Sequence, residues 1–305
     1  MIPAPFDYTR PARLGEAVRA LAAGGGEATV LAGGQSLLPM LRRRLTSSSL
    51  LVDVGRVPEL RGVRETAGAL VVGAMSTLHD IHHDPLVLRH APLLATTTAM
   101  VGDPAVRHRG TLGGAVAHAD QAGDLNAVVL ALDGELVAEG PRGRRTIPAV
   151  EFFVDHLTTA LEPDELLVEI RLPKLGEGWG FHYEKFQFSA QTPTTVGVAV
   201  AVRRENGGVA EARIGLANMG GTPLRASVAE AALAGADATE AAVARAATTA
   251  AEGTSPGPDP GAPPGYRAHL TRVLTRRAVL AAAGLRQRRT SLRTGSPLAE
   301  EEGQG

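Results

Sequence analysis

The sequence contains no cysteine. Disulfide bonds are therefore excluded, and the chain can offer no thiolate to an iron–sulfur cluster, so any cluster working with it belongs to another polypeptide. Aromatic residues make up only 3% of the 305 residues, which leaves Ala, Val and Leu to build the cores. An excess of one charge is also missing. The formal net charge is −1, so there is no general field to draw in nucleic acid or an anionic membrane surface. No long charge-free apolar stretch occurs, and Met1–Tyr8 shows no basic region leading into an apolar run. These absences predict a cytoplasmic chain with no nucleic-acid partner and no membrane insertion. What is present is ordinary globular composition, 44% hydrophobic and 21% charged, at a length that supports two or three domains with sizeable cores.

The most informative stretch is Thr29-Val30-Leu31-Ala32-Gly33-Gly34-Gln35-Ser36-Leu37-Leu38-Pro39. A β-branched run breaks into paired glycines and restarts as a helix-like segment. Glycines let the backbone turn tightly and approach a ligand closely, and the N–H groups that follow form a concavity for an anion. About eighty residues on, Gly110-Thr111-Leu112-Gly113-Gly114-Ala115 repeats the theme with a hydroxyl residue beside Gly-Gly. A single Gly-Gly pair usually only turns the chain. The repetition is what points to phosphate.

Along the chain, residues 12–23 place Leu14, Ala17, Val18 and Leu21 on one helical face before Gly24-Gly25-Gly26 ends the helix. Strands are expected at Ala28–Leu31 and Leu50–Val54, with a basic helix between them over Leu37–Arg44, kinked near Pro39, so a first α/β lobe spans about residues 1–55. A second lobe, 58–175, is expected to hold a strand at Ala69–Ala74 and helices at Thr77–His83, Pro92–Met100 and Asn126–Leu132. Strands follow at Glu135–Ala138 and Glu165–Arg171, the last suited to a sheet edge. After a linker at Leu175–Gly180 come three strands, Phe181–Phe188, Thr194–Arg203 and Val209–Asn218. Asn206-Gly207-Gly208 marks a hairpin between the last two. Helices over Ala226–Leu233, Thr239–Ala251 and Tyr266–Ala283 complete a domain at 179–285, and the charged, Ser/Gly-rich residues 286–305 are expected to be disordered.

Together these features resemble the flavin-carrying medium subunit of molybdenum hydroxylases, the family of carbon monoxide dehydrogenase and xanthine dehydrogenase. The resemblance rests on Pro5-Phe6-Asp7-Tyr8, the two glycine motifs, Val52-Asp53, Ala117-His118-Ala119-Asp120 and Asp124-Leu125. It continues in Tyr183-Glu184-Lys185-Phe186, Val196-Gly197-Val198-Ala199, Tyr266-Arg267 and Leu274-Thr275-Arg276-Arg277-Ala278. It implies an α+β fold: a PCMH-type FAD-binding domain over 1–175, made of two α/β lobes, then a three-stranded antiparallel sheet with helices. The implied cofactor is FAD. The implied partners are an iron–sulfur small subunit and a molybdopterin large subunit. As an oxidoreductase subunit, the chain would pass electrons from the iron–sulfur partner to an external acceptor.

By the same resemblance, Ala32, Gly33, Gly34, Gln35, Ser36, Thr111, Leu112, Gly113, Gly114 and Ala115 grip the cofactor, with Ser36 and Thr111 adding hydroxyl bonds. Asp124 would meet the ribose or adenine side, and Lys185 would lie nearer the ring, where a cation suits the charge a flavin gains on reduction. Each has a plainer rival: the glycines as turns, Asp120 and Asp124 as caps for the helix near Asn126, Lys185 as a solvated lysine. No metal is expected. His79, His82 and His83 read as a partly exposed helix face without a completing carboxylate, Arg42-Arg43-Arg44 as a solvated or partner-facing surface, and no Gly-x-Ser-x-Gly elbow is present. The chain departs from the family at Gln191-Thr192-Pro193, where Thr192 and Pro193 replace an acidic and an aromatic residue near the flavin ring, and at Ala115, which replaces a polar one. These departures keep open a stand-alone flavoprotein, or a structural subunit with weakened FAD binding.

Overall fold

A computed structural model describes residues 2–189, 192–259 and 261–285. The tail at 286–305, Ala190 and the departure residue Gln191 lie outside them. The first lobe runs β1 (Asp7–Thr9), α1 (Leu14–Ala23), β2 (Ala28–Leu31), α2 (Leu37–Arg43) and β3 (Leu50–Asp53), and its strands form a parallel sheet in the order β1-β3-β2. Helix α1 buries Leu14, Ala17, Val18 and Leu21, the predicted stripe. Pro39 produces no interior kink, because α2 begins at Leu37 and the proline falls in the first turn, where its missing N–H removes no helical hydrogen bond.

The second lobe begins with β4 (Val63–Glu65) and β5 (Ala69–Gly73). Helices follow: α3 (Leu78–His83), α4 (Pro85–His90), α5 (Pro92–Ala99), α6 (Pro104–Arg107), α7 (Leu112–His118) and α8 (Asp124–Ala131). Strands β6 (Glu135–Gly140) and β7 (Gly143–Pro148), helix α9 (Ala149–Phe152), the small hairpin β8 (Phe153–Asp155) and β9 (Thr158–Thr159), and β10 (Leu166–Pro173) complete it. The antiparallel sheet is ordered β4-β5-β10-β6-β7. The edge expected at Glu165–Arg171 is in fact the centre. Its charges mislead because they are satisfied in place: Glu169, 5% exposed, accepts from Arg64 at 2.6 Å and Arg171 at 2.6 Å. The first lobe packs across the face of this sheet through Leu14, Val18, Val52 and Val54 against Val137, Leu166 and Val168.

The C-terminal domain contains β11 (Trp179–Phe186), β12 (Val196–Glu205), β13 (Gly208–Ala217), β14 (Leu224–Arg225), α10 (Ser227–Leu233), α11 (Glu240–Ala247) and α12 (Pro264–Ala282). Its antiparallel sheet has four strands, not three. The fourth, β14, is two residues long and pairs only with Gly215 and Leu216, too short to leave an alternation in the sequence. At the β12–β13 hairpin Asn206 and Gly207 both take positive φ, 49° and 83°, as a type I′ turn requires. Strand alternation sorts β12 between two neighbours. Val196, Val198, Val200 and Val202 join Leu270, Leu274 and Ala278 of α12, while Ala199 and Ala201 face the second lobe. There α8 lies so close that a Cβ on Gly215 would sit 2.1 Å from the Ala127 carbonyl oxygen.

Candidate functional site

Between the first and second lobes lies a cleft of about 430 Å³. One wall is the edge of β2 and the loop from Leu31 to Leu37. The other comes from Leu78, Val101, Val106, Gly110 and the start of α7. The walls meet where Gly33 approaches the second glycine segment: a Cβ there would lie 2.3 Å from the Arg109 carbonyl oxygen and 2.9 Å from Gly110 Cα. Only glycine permits this contact. Gly34 turns the loop with φ 75°, a left-handed conformation that side chains disfavour.

Eight of the twelve sequence-predicted residues line the cleft: Ala32, Gly33, Gly34, Gln35, Ser36, Thr111, Gly114 and Ala115. Their donor capacity is uneven. In the first loop the backbone N–H groups of Gly33, Gly34, Gln35 and Ser36 make no hydrogen bond within the described residues. In the second segment the donors are engaged. Leu112 N–H donates to Ser76 O at 3.1 Å, Gly113 N–H to Ala74 O at 2.8 Å, Gly114 N–H to Thr111 Oγ1 at 3.2 Å and Ala115 N–H to Thr111 O at 3.0 Å. The expectation of two equivalent donor loops therefore gives way to one donor loop and one packing wall. Leu112 is fully buried, and a Cβ on Gly113 would lie 2.4 Å from Ala74 Cβ, so both face the second lobe's core.

Among the lining residues only His118 can carry a charge. An anion held here is met by oriented backbone dipoles. Arg42, Arg43 and Arg44 lie at the far end of α2 and do not line the cleft; Arg44 Nε instead donates to Ile2 O at 3.2 Å. The histidines stand behind the second wall, where His79 stacks on His108 at 3.9 Å between ring centroids. Partial burial, then the charges of His108 and His83, hold the His79 pKa below its ordinary value.

Asp124 and Lys185 form a separate centre at the seam with the C-terminal domain. They are paired at 2.9 Å with side chains 7% and 9% exposed. Asp120 closes a local turn, accepting from Ala122 N–H at 2.9 Å, and does not cap α8, whose N-cap is Gly123 without a side-chain bond. Thr192 exchanges hydrogen bonds with Ser189, its hydroxyl donating to Ser189 O at 2.9 Å and accepting from Ser189 N–H at 3.1 Å. Leu78, Val101 and Val106 also line the cleft but lie in no motif. Only the assembled lobes bring them there.

Residues 4–175 match the family described as the FAD binding domain in molybdopterin dehydrogenase. The chain belongs to that family. Residues 181–282 match the CO dehydrogenase flavoprotein C-terminal domain. The chain is 40% identical over 282 residues to the carbon monoxide dehydrogenase medium chain of Hydrogenophaga pseudoflava, covering 92% of this chain and 98% of that one. It is 35% identical to the 6-hydroxypseudooxynicotine dehydrogenase complex subunit alpha of Paenarthrobacter nicotinovorans, covering 92% and 96%. Among solved structures, carbon monoxide dehydrogenase from Hydrogenophaga pseudoflava aligns with a TM-score of 0.91 at 42% identity, over 93% of this chain and 99% of that one. Quinoline 2-oxidoreductase from Pseudomonas putida 86 aligns with a TM-score of 0.88 at 34% identity, over 93% and 99%. This medium, FAD-binding subunit of the molybdenum hydroxylase type thus has the α+β architecture that the sequence resemblance implied, enlarged by one strand. Its cleft fits an anionic cofactor group on chemical grounds, since one wall carries four N–H donors without a partner among the described residues and no carboxylate lines it. No helix among the described residues is long and apolar enough to cross a membrane.

Proposed function

We propose that the diphosphate of FAD sits on the N–H groups of Gly33, Gly34, Gln35 and Ser36, with Ala32, Thr111, Gly114 and Ala115 as further contacts and Leu112 and Gly113 shaping the wall behind. The observation that carries this reading is the row of unpartnered donors in a cleft with no fixed cation. Gly33 and Gly34 are half-buried and Gln35 and Ser36 exposed, so these donors are open to an incoming anion. Here the first loop gives binding energy, and Gly110 and Gly114 keep the opposite wall close enough to exclude water. The Ser36 hydroxyl would orient the same group, while the buried Thr111 hydroxyl, which accepts the Gly114 N–H at 3.2 Å, holds the start of α7. Lys185 and Asp124 line no part of the cleft; paired with each other at 2.9 Å, they support its wall and do not touch the cofactor.

The role assigned to the chain is the flavin link of a multi-subunit dehydrogenase, between an iron–sulfur small subunit fed by a molybdopterin large subunit and an external acceptor. FAD, when bound, supplies the exchange between one-electron and two-electron transfer. The division into an FAD domain at 1–175, with lobes at about 1–55 and 58–175, and a C-terminal domain at 179–285 is supported by the two family matches, at 4–175 and 181–282. The location proposed for the chain is the cytoplasm.

Purification of the chain with and without added FAD tests the reading. Retention of one flavin per chain, with capture of iron–sulfur and molybdenum polypeptides from native extract, is the expected outcome. A folded chain that takes up no flavin overturns the cofactor assignment; a flavin-loaded chain that turns over substrate alone overturns the partnership.

A further inference from the structure

The Asp124 carboxylate is the hub of a buried network that joins both domains. Its Oδ1 accepts from Tyr183 Oη at 2.6 Å and from Thr194 Oγ1 at 2.6 Å, and its Oδ2 accepts from Lys185 Nζ at 2.9 Å. Asp124 starts α8 in the second lobe, while Tyr183 and Lys185 lie on β11 and Thr194 just precedes β12. Burial, then the adjacent Asp124 charge, pushes the Tyr183 hydroxyl well above its ordinary pKa, so it stays protonated and donates. The close fit around it leaves no room for a side chain at residue 197, where a Cβ would lie 2.3 Å from Tyr183 Oη.

The network continues toward the cleft. Lys185 Nζ also donates to the Met100 carbonyl at 2.8 Å. Met100 caps α5, and the next residue, Val101, begins the segment that supplies Val106 and Gly110 to the cleft wall. From the other side, the Asn218 side chain donates to Thr194 O at 2.8 Å, and its backbone N–H donates to Gln121 O at 2.6 Å. With three donors on its two oxygens and 7% side-chain exposure, Asp124 has little surface left for a ribose hydroxyl.

We propose that Asp124 is a positioning residue: it holds the Lys185 ammonium on the Met100 carbonyl, and through that contact the C-terminal domain fixes the Val101–Gly110 wall of the cleft. This rests on the reading that the cleft holds FAD, since the wall's consequence is cofactor retention. The physical reason is the cost of an unpaired ammonium in a desolvated seam. Without the carboxylate, Lys185 leaves for water and releases the end of α5.

The full chain is compared as wild type, Asp124→Asn, Lys185→Met, the double variant and Thr194→Val. Two readouts are taken: amide hydrogen exchange of residues 101–110 without cofactor, and FAD affinity by fluorescence titration. Asp124→Asn and Lys185→Met are each expected to speed exchange in that segment and to weaken FAD binding about tenfold, the double variant no more than the worse single one. Thr194→Val leaves the Lys185 pair in place and is expected to leave both readouts near wild type. Multiplication of the two effects in the double variant overturns the proposal, because Asp124 would then act on the cofactor directly. Unchanged exchange at 101–110 in Lys185→Met overturns it as well, and this holds even where Asp124→Asn fails to fold. A wild-type chain that binds no FAD overturns the cofactor reading alone, because the exchange comparison still decides the positioning claim.

Discussion

Replacing Gly33 with alanine tests how the cleft works. The new Cβ would be built 2.3 Å from the Arg109 carbonyl oxygen, against an ordinary contact of 3.4 Å or more, so the two walls must part by roughly 1 Å. The atoms in the way are backbone, with no flexible side-chain end to swing aside. Overpacking of this kind costs about 1–3 kcal/mol, which the cores of the two lobes absorb without global unfolding. The cofactor suffers more. Because Gly33 heads the donor loop, a shift of roughly 1 Å forced on it carries its N–H and that of Gly34 out of working range of a diphosphate held against the opposite wall, and two charge-assisted bonds lost at about 1.5 kcal/mol each amount to about 3 kcal/mol, or on the order of a hundredfold in affinity. Gly34→Ala is the internal control. Its φ of 75° imposes a left-handed alanine, worth about 1–2 kcal/mol of strain, but its Cβ meets the mobile end of Leu38 at 2.8 Å, and a smaller loss of affinity is expected. The assay is FAD titration followed by flavin fluorescence, with thermal unfolding of each apo-protein alongside. A folded Gly33→Ala chain that binds FAD as tightly as wild type would refute the donor-loop account.

Three further outcomes follow from the same geometry. Gly113→Ala drives a Cβ to 2.4 Å from Ala74 Cβ and 2.7 Å from its Cα, so thermal unfolding should show a loss of about 1–3 kcal/mol in stability. The lowered His79 pKa means that the unfolded chain binds a proton more readily than the folded one; stability should fall as pH drops through the ordinary histidine value toward the lowered one, and His79→Gln should flatten that part of a pH-dependent urea-unfolding series. Glu165 is held below its usual carboxylate range, first by the Arg145 guanidinium at 2.7 Å and then by the Glu162 N–H. Its contribution is present above the ordinary carboxylate value and lost as pH falls through the lowered one. Glu165→Gln should therefore remove about 1–3 kcal/mol at neutral pH, measured by denaturant unfolding, and little in acid.

The glycine loops were legible because their demand is local. Tight turning and close approach need glycine wherever they occur, and the paired motif repeats within the chain. Which loop keeps free donors was not legible, since that depends on Ser76 and Ala74, residues outside the motif that consume the N–H groups of Leu112 and Gly113. The same limit explains β10. Its alternation suits an edge until Arg64, more than a hundred residues earlier, is seen to neutralise Glu169. β14 left no trace because two residues carry no period. For Asp124 the residue type was informative and its partners were not, because Tyr183, Lys185 and Thr194 lie 59, 61 and 70 residues away. Sequence carried the chemistry of the first loop; the assembled domains decided how the second wall and the seam support it.

The most direct measurement is a crystal structure of the chain with FAD bound. The account predicts diphosphate oxygens within hydrogen-bonding distance of the Gly33, Gly34, Gln35 and Ser36 nitrogens, with the Lys185–Asp124 pair intact behind the Val101–Gly110 wall. A diphosphate seated elsewhere, with those four donors facing only water, would contradict it.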